Sequence, residues 1–118
     1  MSDIMGRVES LAYMYAVTAE TDSPDAARAY QAWLKGGHIR DVLRGGAVHG
    51  ELIELDPEPG GPIRIQSRYT FPSRAIFELY ERNHAPALRE EGIRLFGPKS
   101  EHPMRFIRTQ GNIIAEFD

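Results

Sequence analysis

Residues 11–20 alternate Tyr13, Tyr15 and Val17 with Met14, Ala16 and Thr18, the period of two expected of a strand with two usable faces. The rhythm then changes. Ser23-Pro24 supplies a helix cap followed by proline at the first helical position, and Tyr30, Trp33 and Leu34 fall on one helical face with Ala26 and Ala29 nearby. Gly36-Gly37 should end this helix, and residues 38–44 read as one or two further turns closed by Gly45-Gly46.

The second half repeats the plan. Residues 47–55 alternate Val48, Gly50 and Leu52 with His49, Glu51 and Ile53, and the proline- and glycine-rich stretch 56–62 is a hairpin loop. In the strand that follows, Ile65, Ser67, Tyr69 and Phe71 take one face and Arg64, Gln66, Arg68 and Thr70 the other. Ser73 caps a second helix through about Asn83, with Ile76, Phe77 and Tyr80 as its buried stripe; Pro86 interrupts it, and a third helix spans 86–96 before Gly97-Pro98. A last strand covers 104–110 and 112–117, with Gly111 as a bulge.

The order β-α-β-β-α-β predicts an α+β, ferredoxin-like fold with a four-stranded antiparallel sheet and helices on one face. Large apolar residues occur on both faces of the first and last strands. The bare sheet face is therefore expected to pack on a second copy, giving a closed homodimer, a dimeric α/β barrel.

With 118 residues, 42% hydrophobic and 26% charged, the chain has the size and composition of one domain, placed at 11–118 behind a flexible lead-in at 1–10. A net charge of −3 argues against nucleic acid as a main partner, because phosphate binding needs a basic surface. There is no cysteine, which rules out disulfides, thiolate metal sites and cysteine nucleophiles and suits a cytoplasmic location. No apolar run approaches the roughly 20 residues of a membrane span, and the first ten residues lack the apolar stretch of a signal peptide.

The two halves share one more feature: a histidine at the same corner of each. Trp33-Leu34-x-x-x-His38-Ile39 ahead of a hydrophobic strand resembles the EthD-like and antibiotic-biosynthesis-monooxygenase-like members of the dimeric α/β-barrel superfamily. His84-Ala85-Pro86-Ala87-Leu88-Arg89, with Phe96-Gly97 after it, is more similar still to a bacterial family of unknown function within that group. The resemblance covers residues 12–117 and implies a homodimer with a small pocket in each subunit. The superfamily includes cofactor-free oxygenases, aromatic-ring tailoring enzymes, haem-degrading enzymes and proteins without known reaction, so the fold does not give the function. Haem degradation fits poorly, since no haem-ligand motif is recognisable.

His38 and His84 are the candidate catalytic residues, because an unperturbed imidazole titrates near neutrality and can move a proton. His84 continues the stripe Phe77, Tyr80 and Leu88, which points it inward if the helix persists. The competing readings are a helix-capping His38 and a core His84 anchoring the kink at Pro86. Trp33, Tyr69 and Tyr80 are candidates for ligand contact within what is otherwise core, and His49 and Arg68 are candidates on strand faces. Arg64, Gln66 and Arg68, with Arg105 or Arg108 on a neighbouring strand, would favour an anion if their face lined the pocket; otherwise they pair with Glu51 or Glu54. His102 sits in a polar loop and carries little weight. No metal site is expected, because Glu81-x-x-His84 is a single Glu-x-x-His without the other ligands a metal needs.

Three functions remain open: a cofactor-independent enzyme acting on a small, aromatic or acidic metabolite, a non-catalytic small-molecule-binding module, and a structural dimerisation domain. The first two require a cavity beneath His38 or His84.

Overall fold

The computed structural model describes residues 7–117, in the order β1 (Arg7–Glu9), β2 (Tyr13–Thr21), α1 (Pro24–Trp33), a wide π turn (Leu34–His38), α2 (Ile39–Arg44), β3 (His49–Glu54), β4 (Ile63–Phe71), α3 (Arg74–Asn83), α4 (Ala85–Phe96), β5 (Arg105–Asn112) and β6 (Ala115–Phe117). The serines begin both helical segments. Ser23 Oγ accepts from the Ala26 amide at 3.1 Å and Ser73 Oγ from the Ile76 amide at 3.2 Å, each satisfying a donor the helix leaves unpaired.

The four long strands form an antiparallel sheet in the order β3-β4-β2-β5, the ferredoxin-like arrangement. β1 and β6 pair with each other as a separate two-stranded ribbon. Part of the expected lead-in is therefore strand from Arg7 onward; residues 1–6 lie outside the described residues. Gly111 makes no bulge, since Met14 pairs with it in continuous register. The break falls at Ile113–Ile114, where the Ile113 amide donates to the Ala12 carbonyl before β6 begins.

Pairing makes the inner face a set of cross-strand rows. The row Gln110–Tyr15–Tyr69–Gly50 is rich in large aromatics, and Phe106–Ala19–Ile65–Glu54 packs toward the other end. Between them runs Arg108–Val17–Ser67–Leu52, whose middle two side chains are small. The core divides accordingly. One cluster gathers Tyr13, Tyr15, Tyr69, Phe71, Phe77, Tyr80 and Val42; the other gathers Ala19, Tyr30, Leu34, Ile65, Phe96 and Met104.

The outer face carries Thr18, Gln66, Arg68, Thr70, His49, Glu51 and Thr109 around Met14, Ala16, Ile53 and Ile107. It is more polar than the strand composition suggested, because the aromatics of β2 and β4 all fall in the inward register. Ile107 is exposed on this face, and further large apolar side chains are exposed near the ribbon, at Leu11, Ile114 and Phe117. Among the described residues no helix is long and apolar enough to cross a membrane.

Candidate active site

The small row in the middle of the sheet leaves a cavity under the helices. Val17 and Ser67 contribute to its floor, with Tyr15, Tyr69 and Phe106 from the neighbouring rows; Tyr30, Trp33, His38 and Tyr80, with Leu88 and Arg89 of α4, close it from above. Centres of water-sized spheres sweep about 60 Å³ inside it. At roughly 10–15 Å³ per water this is room for a handful of waters or a fragment-sized molecule. The side chains do not fill it.

His38 reaches this cavity through the π turn. Positions 33 and 38 are five apart, and in a regular α-helix they would diverge by about 140° around the axis. Here the Ile39 amide bonds back to the Leu34 carbonyl across five residues, and the extra residue in the turn brings both side chains to one side. The rings of Trp33 and His38 stack with centroids 4.1 Å apart and planes 23° from parallel. Trp33 is itself held by α4, its Nε1 donating to Glu91 Oε1 at 3.1 Å. Gly37 leaves helical geometry at φ 165° and ψ −27°, so the first helix ends in a kink at Gly36-Gly37, as expected, and α2 follows from it directly.

Burial disfavours the imidazolium and lowers the His38 pKa from its ordinary value, while Asp41 and Glu91 pull weakly the other way. The ring is consequently neutral at neutral pH. Its Nδ1 is buried and makes no hydrogen bond among the described residues, so no carbonyl or carboxylate fixes the tautomer. Tyr69 is almost wholly buried, its hydroxyl unpartnered, and burial pushes its pKa up to about 12. The neighbouring Ser67 hydroxyl moderates that shift without making a hydrogen bond of ordinary geometry. Tyr30 and Tyr80 are likewise kept protonated by burial.

One end of the cavity is cationic. Tyr15 Oη accepts from Arg108 Nε at 3.1 Å and, in a longer contact, from Arg89 Nη2 at 3.5 Å. Arg89 also bonds Glu81 Oε2. Among the described residues, no three His, Asp or Glu side chains come together as a metal-binding group.

Of the candidates named from the sequence, the structure brings together His38, Trp33, Tyr69, Tyr80 and Arg108. His84 is not among them. The α3 ladder stops at Asn83 because Pro86 cannot continue it, and His84 turns out of helical geometry at φ −123°. Its exposed ring lies parallel to Tyr80 on the outside, against Gly45, which corrects the expectation that it points inward. Arg68 and His49 occupy the outer sheet face and both contact Glu51, Arg68 Nη2 at 3.0 Å and His49 Nε2 at 3.6 Å. The register of β4 puts Arg68 opposite to Tyr69, so the two cannot share the cavity. Arg105 likewise faces outward to Glu20, its cross-strand partner. Sequence reasoning missed Tyr15 and Arg89 as cavity residues. Arg89 had a signal, standing four residues after Ala85 on the helix that follows the His-Ala-Pro motif; Tyr15 read, like Tyr69 and Trp33, as a core or interface aromatic, and nothing along the chain marked it out from Tyr13.

Solved structures with this fold carry low sequence identity. A dimeric ferredoxin-like protein from an uncultured marine organism is 11% identical over 86% of this chain and 94% of its own, with a TM-score of 0.63. An EthD family protein from Bacillus halodurans is 10% identical over 81% and 96%, with a TM-score of 0.55. A protein from Nitrosomonas europaea described as a candidate antibiotic biosynthesis monooxygenase is 13% identical over 88% and 93%, with a TM-score of 0.54. At such identities the likeness establishes the fold alone, in agreement with the expected EthD-like and monooxygenase-like relationship. No curated protein sequence matches the chain. The family model for a domain of unknown function, DUF4286, matches residues 12–108, and the chain belongs to that family.

Proposed function

We propose that this protein is a cofactor-independent enzyme acting on a small metabolite, with His38 as the group that accepts and returns a proton. One observation carries this reading: an uncharged imidazole, its Nδ1 without a protein partner, lines an unfilled cavity of fragment size. A structural histidine is normally tied to a hydrogen-bond partner, and a base is most useful near neutral pH when it is uncharged there. Trp33 orients the ring by stacking, and Glu91 holds Trp33. Tyr69 supplies a hydroxyl donor toward charge that develops on the substrate.

The reaction need not be known for a test. A base removes a proton from an activated carbon acid, and in heavy water returns a deuteron to the same carbon. A panel of small carbon acids incubated in deuterium oxide and followed by proton NMR should include one whose exchange the protein accelerates. His38→Gln should lose about two to four orders of magnitude of that rate. Undiminished exchange in His38→Gln would remove His38 from the mechanism, and no exchange with any panel member would favour a binding module.

We further propose that the protein works as a homodimer joined through the outer sheet face. The dimeric marine neighbour supports this, as does Ile107, half exposed in the middle of β5 with no cover in the single chain.

A further inference from the structure

The polar groups at the arginine end of the cavity share one property: they offer hydrogen-bond donors. Arg108 and Arg89 both approach the same phenolic oxygen, within 3.5 Å, so two guanidinium groups converge on Tyr15. Glu81 neutralises Arg89, and among the described residues Arg108 has no carboxylate partner, leaving this end with an excess positive charge. A phenol that accepts from two cations must direct its own proton elsewhere, and Tyr15 Oη donates to no acceptor among the described residues. The hydroxyl of Tyr69 lacks a partner as well.

The rest of the wall is largely apolar and rich in flat rings, with Ser67, Tyr69 and His38 among its polar members. Tyr15 and Tyr69 lie 23° from parallel at 6.2 Å between centroids, and Trp33 stacks on His38 on the helical side. A thin molecule with a planar body fits between such walls better than a branched one.

From the convergence of Arg108, Arg89 and Tyr15 on one end of a ring-walled cavity, we infer that the ligand is a small planar carboxylate, its carboxylate at the arginines and its body against Tyr69 and the Trp33–His38 pair. A carboxylate matches the guanidinium fork in a plane, accepts the Tyr15 proton and compensates the charge that Glu81 leaves over. This deepens the enzymatic reading of the same cavity, yet it depends on the arginine end and not on His38.

The test uses sodium benzoate as probe, with benzamide as its uncharged isostere, inorganic phosphate as a tetrahedral anion and sodium chloride as the ionic-strength control. Benzoate should raise the melting temperature saturably, and benzamide should not. Arg108→Gln, a change at an exposed side chain, should weaken benzoate binding by about tenfold or more. Tyr15→Phe provides a second variant that leaves both charges in place and should weaken it less. The inference is overturned if benzamide stabilises as well as benzoate, if phosphate does so equally, if benzoate acts no differently from sodium chloride, or if Arg108→Gln binds benzoate unchanged. His38→Gln separates the two readings: benzoate binding retained with proton exchange retained defeats the role of His38 alone, whereas exchange without any anion preference defeats the carboxylate alone.

Discussion

Trp33 is the only tryptophan in the chain and stacks directly on His38, so its fluorescence reports the protonation of that one imidazole. A charged imidazolium against an indole quenches it, and the quench should appear with a midpoint below the ordinary value of 6.5. A midpoint at or above that value would contradict the burial argument. The same shift sets a pH dependence of folding. Because the folded state disfavours protonation, the stabilisation tied to neutral His38 is fully present above 6.5 and is lost as the pH falls through the lower folded value. Chemical denaturation of the wild type across that window should show the loss, and His38→Gln should flatten it. Tyr69 gives a prediction of opposite sign. Its buried hydroxyl has no partner, so Tyr69→Phe should leave stability unchanged or raise it by about 1 kcal/mol, while slowing proton exchange. A large loss of stability would mean that the hydroxyl is bonded in the protein's own core.

The element that decides the site is the π turn between α1 and α2. A wide turn of this kind adds one residue to a helix, and removing one restores the ordinary ladder. Gly36 is the residue to delete, since both Gly36 and Gly37 face open space and nothing packs on them. The shortened protein should keep both its far-UV circular dichroism and the pH-dependent quench of Trp33, because residues 33 and 38 would then stand four apart, on one face of a regular helix. Loss of the quench would show that the deletion does not restore the ordinary ladder and that the stack needs the glycine kink itself. α3 and α4 teach the complementary lesson. Their junction at His84 resembles the first corner in sequence, but a proline and not a π turn follows it, so the ring leaves the core.

The whole molecule measures 55 × 37 × 20 Å, elongated for its length, with the β1–β6 ribbon outside the four-stranded sheet. An isolated two-stranded ribbon is marginally stable in water, and this one has exposed Ile114 just before β6 and exposed Phe117 within it. Both features suit a chain that completes its packing against a copy of itself. Multi-angle light scattering should give a mass near twice 13.3 kDa at micromolar concentration. Ile107→Glu, on the outer face of β5, should shift the protein toward the monomer. A wild-type monomer would refute the dimer, and an unaffected dimer in the variant would move the interface off the sheet face.

The sequence by itself determined the four long strands and the helices in their order, because alternation, serine caps and proline breaks act within a few residues of chain; the β1–β6 ribbon, a pairing between the two ends, had no such local signal. The ferredoxin-like sheet, the strand faces and the loop at 56–62 were legible on that ground. It also singled out His38, Trp33, Tyr69 and Tyr80, all of which meet in the cavity. Which histidine enters, and which arginine, was decided only by tertiary structure. Arg68 and Arg108 read alike along the chain, yet strand pairing sends one outward to Glu51 and the other inward to Tyr15. The cavity itself has no local signature, since it comes from two small side chains, Val17 and Ser67, placed side by side by pairing between strands some 50 residues apart in sequence.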